Sequence, residues 1–181
     1  MMSVTPIPAL SDNYIWLIRQ DTNQSVCVVA PGEAAPVIEF LERESLTLDT
    51  ILITHHHQDH TGGLDALTKR YSPRVIGPDN PSIKGIDERV GEGDQVRIMG
   101  RLFEVMATPG HTLDHICYIH EQLAFTGDTL FIGDVGRPDL REKAGNMKAK
   151  REEHDAEQHR ALKDAEHAEQ EELAHDVVGE R

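Results

Sequence analysis

The chain has little cysteine, no long apolar run and no excess of basic residues. Cys27 and Cys117 are the only cysteines among its 181 residues, so we do not expect structural disulfides. No stretch approaches the roughly 18 apolar residues of a membrane-spanning helix, and the start, MMSVTPIPAL, lacks the basic and apolar regions of a secretory signal. A formal net charge of -14 argues against a nucleic-acid backbone or an anionic membrane as the main partner. We therefore expect a cytoplasmic protein that acts on small molecules.

Residues 1–140 have the pattern of one α/β domain. Short apolar runs alternate with turn signals, and the length is sufficient for a single core. Hairpins are predicted between about Tyr14 and Ala30, around Gly100 and around Glu121–Gln122, and helices over Ala34–Glu44 and Gly63–Tyr71. This order predicts two packed sheets that are covered on the outside by helices.

The composition changes after Leu140. Residues 141–181 contain 8 Lys or Arg and 12 Asp or Glu, and they contain no aromatic residue. Alanine, glutamate and lysine favour helix formation, but Leu162 and Leu173 are isolated and no heptad is sustained. We predict a charged, helix-prone tail over residues 141–181 that is solvated or partly disordered rather than packed.

The densest group of metal-binding residue types follows a predicted strand at Thr50–Thr54. The segment THHHQDHTGG contains four histidines and one aspartate, namely His55, His56, His57, Asp59 and His60. Side chains alternate along an extended chain, so His55, His57 and Asp59 would point to one side and His56 to the other. His60 enters a turn and can point back toward the first side. Imidazoles and a carboxylate with this spacing after an apolar strand are typical of a zinc site.

Two later strand ends carry residues that can complete such a site. The segment MATPGHTLDH places His111 after a strand that ends near Ala107, and Pro109–Gly110 favours a tight turn there. The segment LAFTGDTLF places Asp128 after a strand that ends near Thr126. We expect His111 and Asp128 to line the same site as the first cluster.

The segments THHHQDH, TPGHT and GDTLF, in this order, resemble the metallo-β-lactamase superfamily. More narrowly, PIPALSDNYIWLI, THHHQDHTGG, TPGHTLDHICY and FTGDTLF are similar to glyoxalase II, the hydroxyacylglutathione hydrolases, over residues 4–132. The resemblance implies an α/β fold, the αββα sandwich, within residues 1–140, with two metal ions at one sheet edge. It implies that His55, His57 and His111 hold one metal, that Asp59 and His60 hold the second, and that Asp128 bridges them.

The chain departs from the glyoxalase pattern at four places. Ala30 stands where an aspartate is usual, and Asp114 replaces a glycine, which would add negative charge close to His111. The segment IGDVGRPDL after GDTLF is more similar to the rhodanese-linked and persulfide-dioxygenase branch. The late histidine ligand and the helical glutathione-binding domain are not recognisable, so the domain over 1–140 is expected to lack its C-terminal part. His175, in ELAHDVV, is the candidate replacement ligand, and the second metal site is expected to be weak.

The remaining histidines and the cysteines have less specific expectations. His56 would pack or hydrogen-bond behind the ligand loop, and His115 would support the site from outside the ligand set. His120, next to a hairpin turn, is expected to be solvated. Cys27 and Cys117 lie inside apolar runs and are expected to be buried, inert thiols.

The resemblance implies a metal-dependent thioester hydrolase that uses a metal-bound hydroxide, with Asp59 as the catalytic residue that orients it and accepts its proton. The expected cofactor is zinc, as two ions, with iron and manganese as alternatives. The expected partner is a small-molecule thioester, such as one linked to glutathione, and neither nucleic acid nor a membrane. Two other functions remain open: a persulfide dioxygenase with one iron held by His55, His111 and Asp128, and a metal-binding domain with little activity. The residues do not indicate an oligomeric state.

Overall fold

The first sheet combines an antiparallel and a parallel half. The computed structural model describes residues 2–21, 23–121, 123–131 and 134–137. Six strands pair in chain order: β1 (Met2–Ala9), β2 (Asn13–Gln20), β3 (Ser25–Val29), β4 (Thr47–Leu52), β5 (Arg74–Pro78) and β6 (Glu88–Val90). The pairs from β1 to β3 are antiparallel and those from β3 to β6 are parallel. The carboxyl ends of β3 to β6 therefore meet at one edge of the sheet.

The second sheet is an antiparallel meander. Its order is β10-β9-β8-β7, with β7 (Gln95–Ile98), β8 (Arg101–Ala107), β9 (Ile116–His120) and β10 (Leu123–Phe125). A short pair, β11 (Leu130–Phe131) and β12 (Asp134–Val135), follows it. Consecutive strands of this sheet are neighbours, so the loops β8–β9 and after β10 lie near each other.

Three α-helices occur in the described residues: α1 (Ala35–Arg43), α2 (Gln58–Thr61) and α3 (Leu64–Tyr71). A short 3-10 helix, Gly127–Thr129, follows β10. A proline near the first turn of α1 favours its start, because proline is tolerated where the backbone N–H needs no partner. Val37 and Leu41 of α1 and Leu64 and Leu67 of α3 are buried in one cluster with side chains of the first sheet. None of the described helices is long and apolar enough to cross a membrane.

A second apolar cluster fills the space between the two sheets. Ile18 and Leu52 from the first sheet meet Phe103, Val105 and other side chains of the second. Tyr118 of the second sheet is fully buried, and its hydroxyl donates a 2.8 Å hydrogen bond to the carbonyl of Ile53, just beyond β4. The layers are thus helix, sheet and sheet, as predicted for the α/β sandwich. Within the described residues, no helix covers the outer face of the second sheet.

Most of the predicted elements are confirmed, and the differences have physical causes. Strand β1 was not predicted because it contains Pro6 and Pro8, which lack a backbone donor; β1 is an edge strand, where proline is tolerated. The expectation that His120 is solvated is wrong, since its side chain is only 11% exposed and its Nδ1 lies 2.8 Å from the Leu102 carbonyl. Residues 141–181, including His175, lie outside the described residues, and the boundary at 140 stays a prediction.

The hydroxyl of Tyr118 should contribute to stability because it bridges the two sheets. We expect Tyr118→Phe to lower the free energy of unfolding by about 1–2 kcal/mol, since a buried carbonyl acceptor loses its donor. Urea unfolding followed by circular dichroism measures this change. Tyr14→Phe removes an exposed hydroxyl and serves as the control; equal effects of the two substitutions would contradict the assigned role of Tyr118.

Candidate metal centre

Three loops from different parts of the chain meet at one edge of the sandwich. The first follows β4 and contains the histidine run, the second connects β8 with β9 and contains His111, and the third follows β10 and contains Asp128. The backbone N–H of Ile116 donates a 2.9 Å hydrogen bond to the carbonyl of Thr54. This bond joins the start of β9 to the residue before His55, so it holds the two sheets together at the site.

A first group of donors consists of His55, His57 and His111. One ring nitrogen from each lies within 4.8 Å of the others, and His57 Nδ1 is 2.9 Å from His111 Nε2. The Nδ1–H of His111 donates a 2.6 Å hydrogen bond to the backbone carbonyl of Arg137. That bond orients the ring and leaves Nε2 toward the site, as is usual for histidines that bind metals.

A second group consists of His55, His60 and Asp128, again with donor atoms within 4.8 Å of one another. The carboxylate of Asp128 faces both groups, because Oδ1 lies 2.9 Å from His60 Nε2 and Oδ2 lies 3.3 Å from His111 Nε2. His60 belongs to the helical turn α2, which brings its ring back toward His55, at 4.4 Å between centroids. His55 is thus common to the two groups.

Asp59 lies beside these groups and belongs to neither. The extended alternation that was expected to align it with His55 and His57 ends at His57, because α2 begins at Gln58. Its carboxylate is 45% exposed, and Oδ2 is 3.4 Å from His60 Nε2. The side-chain amide of Asn13 donates to Asp59 Oδ2 at 3.1 Å and to the Asp59 carbonyl at 3.3 Å. Asn13 therefore holds Asp59 at the rim of the site.

The charge states of these groups follow from burial and crowding. Burial strongly lowers the pKa of His55, and the nearby rings of His60 and His115 lower it further. Burial disfavours the ionised form of Asp128, but the interactions with His60 and His111 outweigh it, so the pKa of this carboxyl is lowered. The site therefore combines a neutral imidazole with a carboxylate, which are the forms that bind a metal ion.

The residues fit a metal ion. Among the described residues, His55 Nε2 and both ring nitrogens of His60 are buried and make no hydrogen bond, although His60 Nε2 lies 2.9 Å from Asp128 Oδ1. Buried polar atoms are almost always paired, because an unpaired one costs free energy. Imidazole nitrogens and a carboxylate are also the donors that zinc, iron and manganese sites use. Coordination would give these atoms the partners that the described residues do not supply.

His115 supports the third loop from behind. It is fully buried and stacks on His55 with 4.7 Å between ring centroids. The backbone N–H of Asp128 donates to His115 Nε2 at 3.1 Å, and the hydroxyls of Thr108 and Thr129 lie 3.0 and 3.1 Å from His115 Nδ1. Burial, the largest effect, lowers the pKa of His115 to about 4. His115 is therefore neutral and positions Asp128, in agreement with its expected supporting role.

Two glycines permit a close approach of backbone to the site. A side chain at Gly32 would meet the Asp59 carbonyl at 2.0 Å, and one at Gly136 would meet the Asp128 carbonyl at 1.8 Å. Gly136 and Arg137 belong to the GDVGRPDL segment, and these two residues lie against Asp128 and His111, two of the predicted ligand residues. This contact could not be predicted from the sequence, because a backbone carbonyl has no residue-type signature.

The site opens into a cleft of about 270 Å³ that is lined by His111, Asp128 and neighbouring residues of the second and third loops. This volume is slightly below the range of typical small-molecule sites, which is roughly 300–1,000 Å³. The carboxylate of Asp114, which was expected to add negative charge close to His111, faces His56 and Asn80. His56 points away from both donor groups, as predicted.

Comparisons with known proteins agree with this architecture. The chain is similar to the hydroxyacylglutathione hydrolase of Chromohalobacter salexigens, with 63% identity over 140 residues, which are 76% of this chain and 55% of that protein. The structure is similar to the BLEG-1 B3 metallo-beta-lactamase (TM-score 0.68, 28% identity, 78% of each chain covered). It is also similar to ETHE1 from Myxococcus xanthus (TM-score 0.65, 30% identity, 77% of this chain and 62% of that chain).

The chain spans about half the length of the curated relatives it matches. The metallo-beta-lactamase superfamily profile matches residues 10–174, which is most of the sequence. This chain belongs to the metallo-beta-lactamase superfamily.

Proposed function

We propose that the chain is a metal-dependent thioester hydrolase of the hydroxyacylglutathione hydrolase type. The observation that carries the proposal is the convergence of two donor groups that share the buried His55. The identity of 63% to a hydroxyacylglutathione hydrolase supports the choice of thioesters among the substrates of metal-dependent hydrolases.

The proposed cofactor is zinc, with two ions. His55, His57 and His111 would hold the first ion, and His60 and Asp128 would hold the second, with Asp59 at its rim. The carboxylate of Asp128 faces both donor groups. When bound, zinc would lower the pKa of a water molecule toward neutrality and polarise a substrate carbonyl. The second set has fewer imidazoles, so we expect it to bind more weakly; a contribution from His175 falls outside the described residues.

Asp59 is the proposed general base. It lies at the rim of the donor groups with a partly exposed carboxylate, so it can reach both a water molecule and solvent. The amide of Asn13 holds one carboxylate oxygen and leaves the other for the attacking water. A positioned carboxylate of this kind can accept the proton of the water as it attacks a carbonyl.

The proposed substrate is a small thioester of a glutathione conjugate. A thiolate leaves readily, so no general acid is required beside the cleft. The cleft of about 270 Å³ can take the acyl group of such a substrate, and a glutathione moiety would extend beyond it.

Hydrolysis of S-lactoylglutathione tests the proposal directly. We expect the purified full-length chain, loaded with zinc, to release thiol from this substrate, and we expect metal analysis to find two ions per chain. Removal of the metal by a chelator should abolish thiol release, and added zinc should restore it. A folded, zinc-loaded protein that releases no thiol would contradict the proposal and would favour a metal-binding domain with little activity.

Replacement of Asp59 tests its role. Asp59→Asn should lower kcat by about 10²–10⁴-fold with little change in KM, as expected for loss of a general base. Asp65→Asn, an exposed carboxylate that pairs with Lys69 on α3, is the matched control and should have parental kinetics. Metal analysis of Asp59→Asn shows whether an ion is lost with the base. A decrease in kcat of less than tenfold would rule out Asp59 as the base.

A second candidate function is a persulfide dioxygenase with a single iron. It is favoured by the similarity of GDVGRPDL to that branch and by the contact of Arg137, in this segment, with His111. The structure groups His55 and Asp128 with His60, rather than with His111 as the sequence suggested, into a set of two histidines and one carboxylate. Such a group is a common iron site in oxygen-using enzymes.

Oxygen uptake distinguishes the two candidates. If the hydrolase proposal is correct, we expect the iron-loaded chain to consume no oxygen with glutathione persulfide, whereas a dioxygenase would consume it in proportion to the persulfide added. An oxygen electrode measures the uptake, and the same iron-loaded sample is assayed with S-lactoylglutathione.

A further inference from the structure

A carboxylate behind the donor groups connects three loops. Asp114 Oδ1 lies 2.9 Å from His56 Nδ1, and Asp114 Oδ2 accepts a 2.8 Å hydrogen bond from the side-chain amide of Asn80. The Asp114 side chain is only 8% exposed, whereas that of His56 is 26% exposed. Asp114 is thus a nearly buried acid with one partner on each oxygen.

Asn80 is itself held in place. Its side-chain oxygen accepts hydrogen bonds from the backbone N–H of Ser82 at 2.9 Å and from the Ser82 hydroxyl at 2.8 Å. The oxygen is therefore engaged, and the amide nitrogen must face Asp114. The turn after β5 provides a fixed donor to the carboxylate.

The network keeps Asp114 ionised. Burial alone would raise the pKa of this carboxyl, but the hydrogen bonds from His56 and Asn80 outweigh burial and lower it. An ionised Asp114 can only accept, so His56 carries its proton on Nδ1. Charge-assisted hydrogen bonds of this kind are stronger and more directional than neutral ones.

The two ends of the network lie on the ligand-bearing loops. His56 stands between His55 and His57, and Asp114 follows His111 by three residues in the loop between β8 and β9. The contact of Asp114 with His56 therefore limits the separation of the loop with His55 and His57 from the loop with His111. None of the atoms in this contact belongs to the two donor groups.

We propose that Asp114 is a positioning residue that, through His56, holds the two ligand-bearing loops at the spacing required for metal binding. This inference rests on the proposed metal centre. Without the network, part of the binding free energy would be used to bring the loops together, and the affinity for metal would fall. Residues behind metal ligands typically change affinity by about 10–100-fold when they are lost.

Zinc affinity provides the test, because it does not depend on turnover. The full-length Asp114→Ala, His56→Ala and double variants are compared with the parent by competition with a chromophoric chelator, after circular dichroism has shown that each is folded. We expect each single substitution to weaken zinc binding by about tenfold. The double variant should lie within about twofold of the weaker single variant, because both substitutions remove the same link.

Two further variants make the result specific. Asp79→Ala removes an exposed carboxylate next to Asn80 that pairs only with Arg89 among the ion pairs described, and it should bind zinc like the parent. Asp114→Asn keeps the size of the side chain, and its amide can bridge Asn80 and the other tautomer of His56. It should therefore retain affinity within about threefold of the parent, which a general loss of stability would not explain.

Several outcomes would overturn the inference. If Asp114→Ala binds zinc as tightly as Asp79→Ala, Asp114 has no positioning role. If the losses of zinc affinity of the two single variants multiply in the double variant, Asp114 does not act through His56. If Asp114→Ala does not fold, His56→Ala alone tests the inference. An unchanged zinc affinity of His56→Ala then refutes the positioning role of Asp114. A parent chain that binds no zinc refutes the metal centre itself, whereas tight binding by parent and variants alike refutes only the role of Asp114.

Discussion

Buried imidazole nitrogens that make no hydrogen bond within the described part of the chain constrain the rest of the candidate site. Each such atom costs about 1–3 kcal/mol if it stays unpaired, and His55 and His60 contribute three of them. The same burial keeps His55 neutral, since a charged ring in this crowded place would lie among other imidazoles. A cluster that is unfavourable in the protein alone becomes favourable with a cation, because neutral imidazole is the form that coordinates metals.

The surrounding sandwich holds the ligand loops in place despite this cost. The ligand loops start from strands that are fixed in two sheets, and the sheets share an apolar core as well as the hydrogen bond between Ile116 and Thr54. Around the donors, His115, Asn13 and Asp114 each fix one loop or one side chain by hydrogen bonds that do not involve the donor groups directly. The positions of the donors are therefore set by residues that contact the ligand-bearing loops. These residues are spread over the sequence and become neighbours only on folding.

Local patterns were sufficient for most strands, for α1 and α3 and for the choice of metal-binding residue types, but not for β1 or α2. The alternation of His55, His56 and His57 is a local property, and the structure retains it. Contacts across the fold were not predictable, because no pattern in the sequence pairs Asn13 with Asp59 or Arg137 with His111. The prediction for His120 failed, and the contacts of Asp114 with His56 and Asn80 were not foreseen, for the same reason: a position next to a turn or in a loop does not determine which other segment packs against it.

The sequence by itself determined that imidazoles and carboxylates stand at three strand ends, because the period of two along a strand and the turn-forming residues are encoded in neighbouring positions. Only the tertiary structure decided that these ends meet, that His55 belongs to both donor groups and that Asp59 stays at the rim. The physical reason is that coordination geometry depends on distances of a few ångströms between loops far apart in the chain. Those distances are set by sheet pairing and core packing, which no single segment contains.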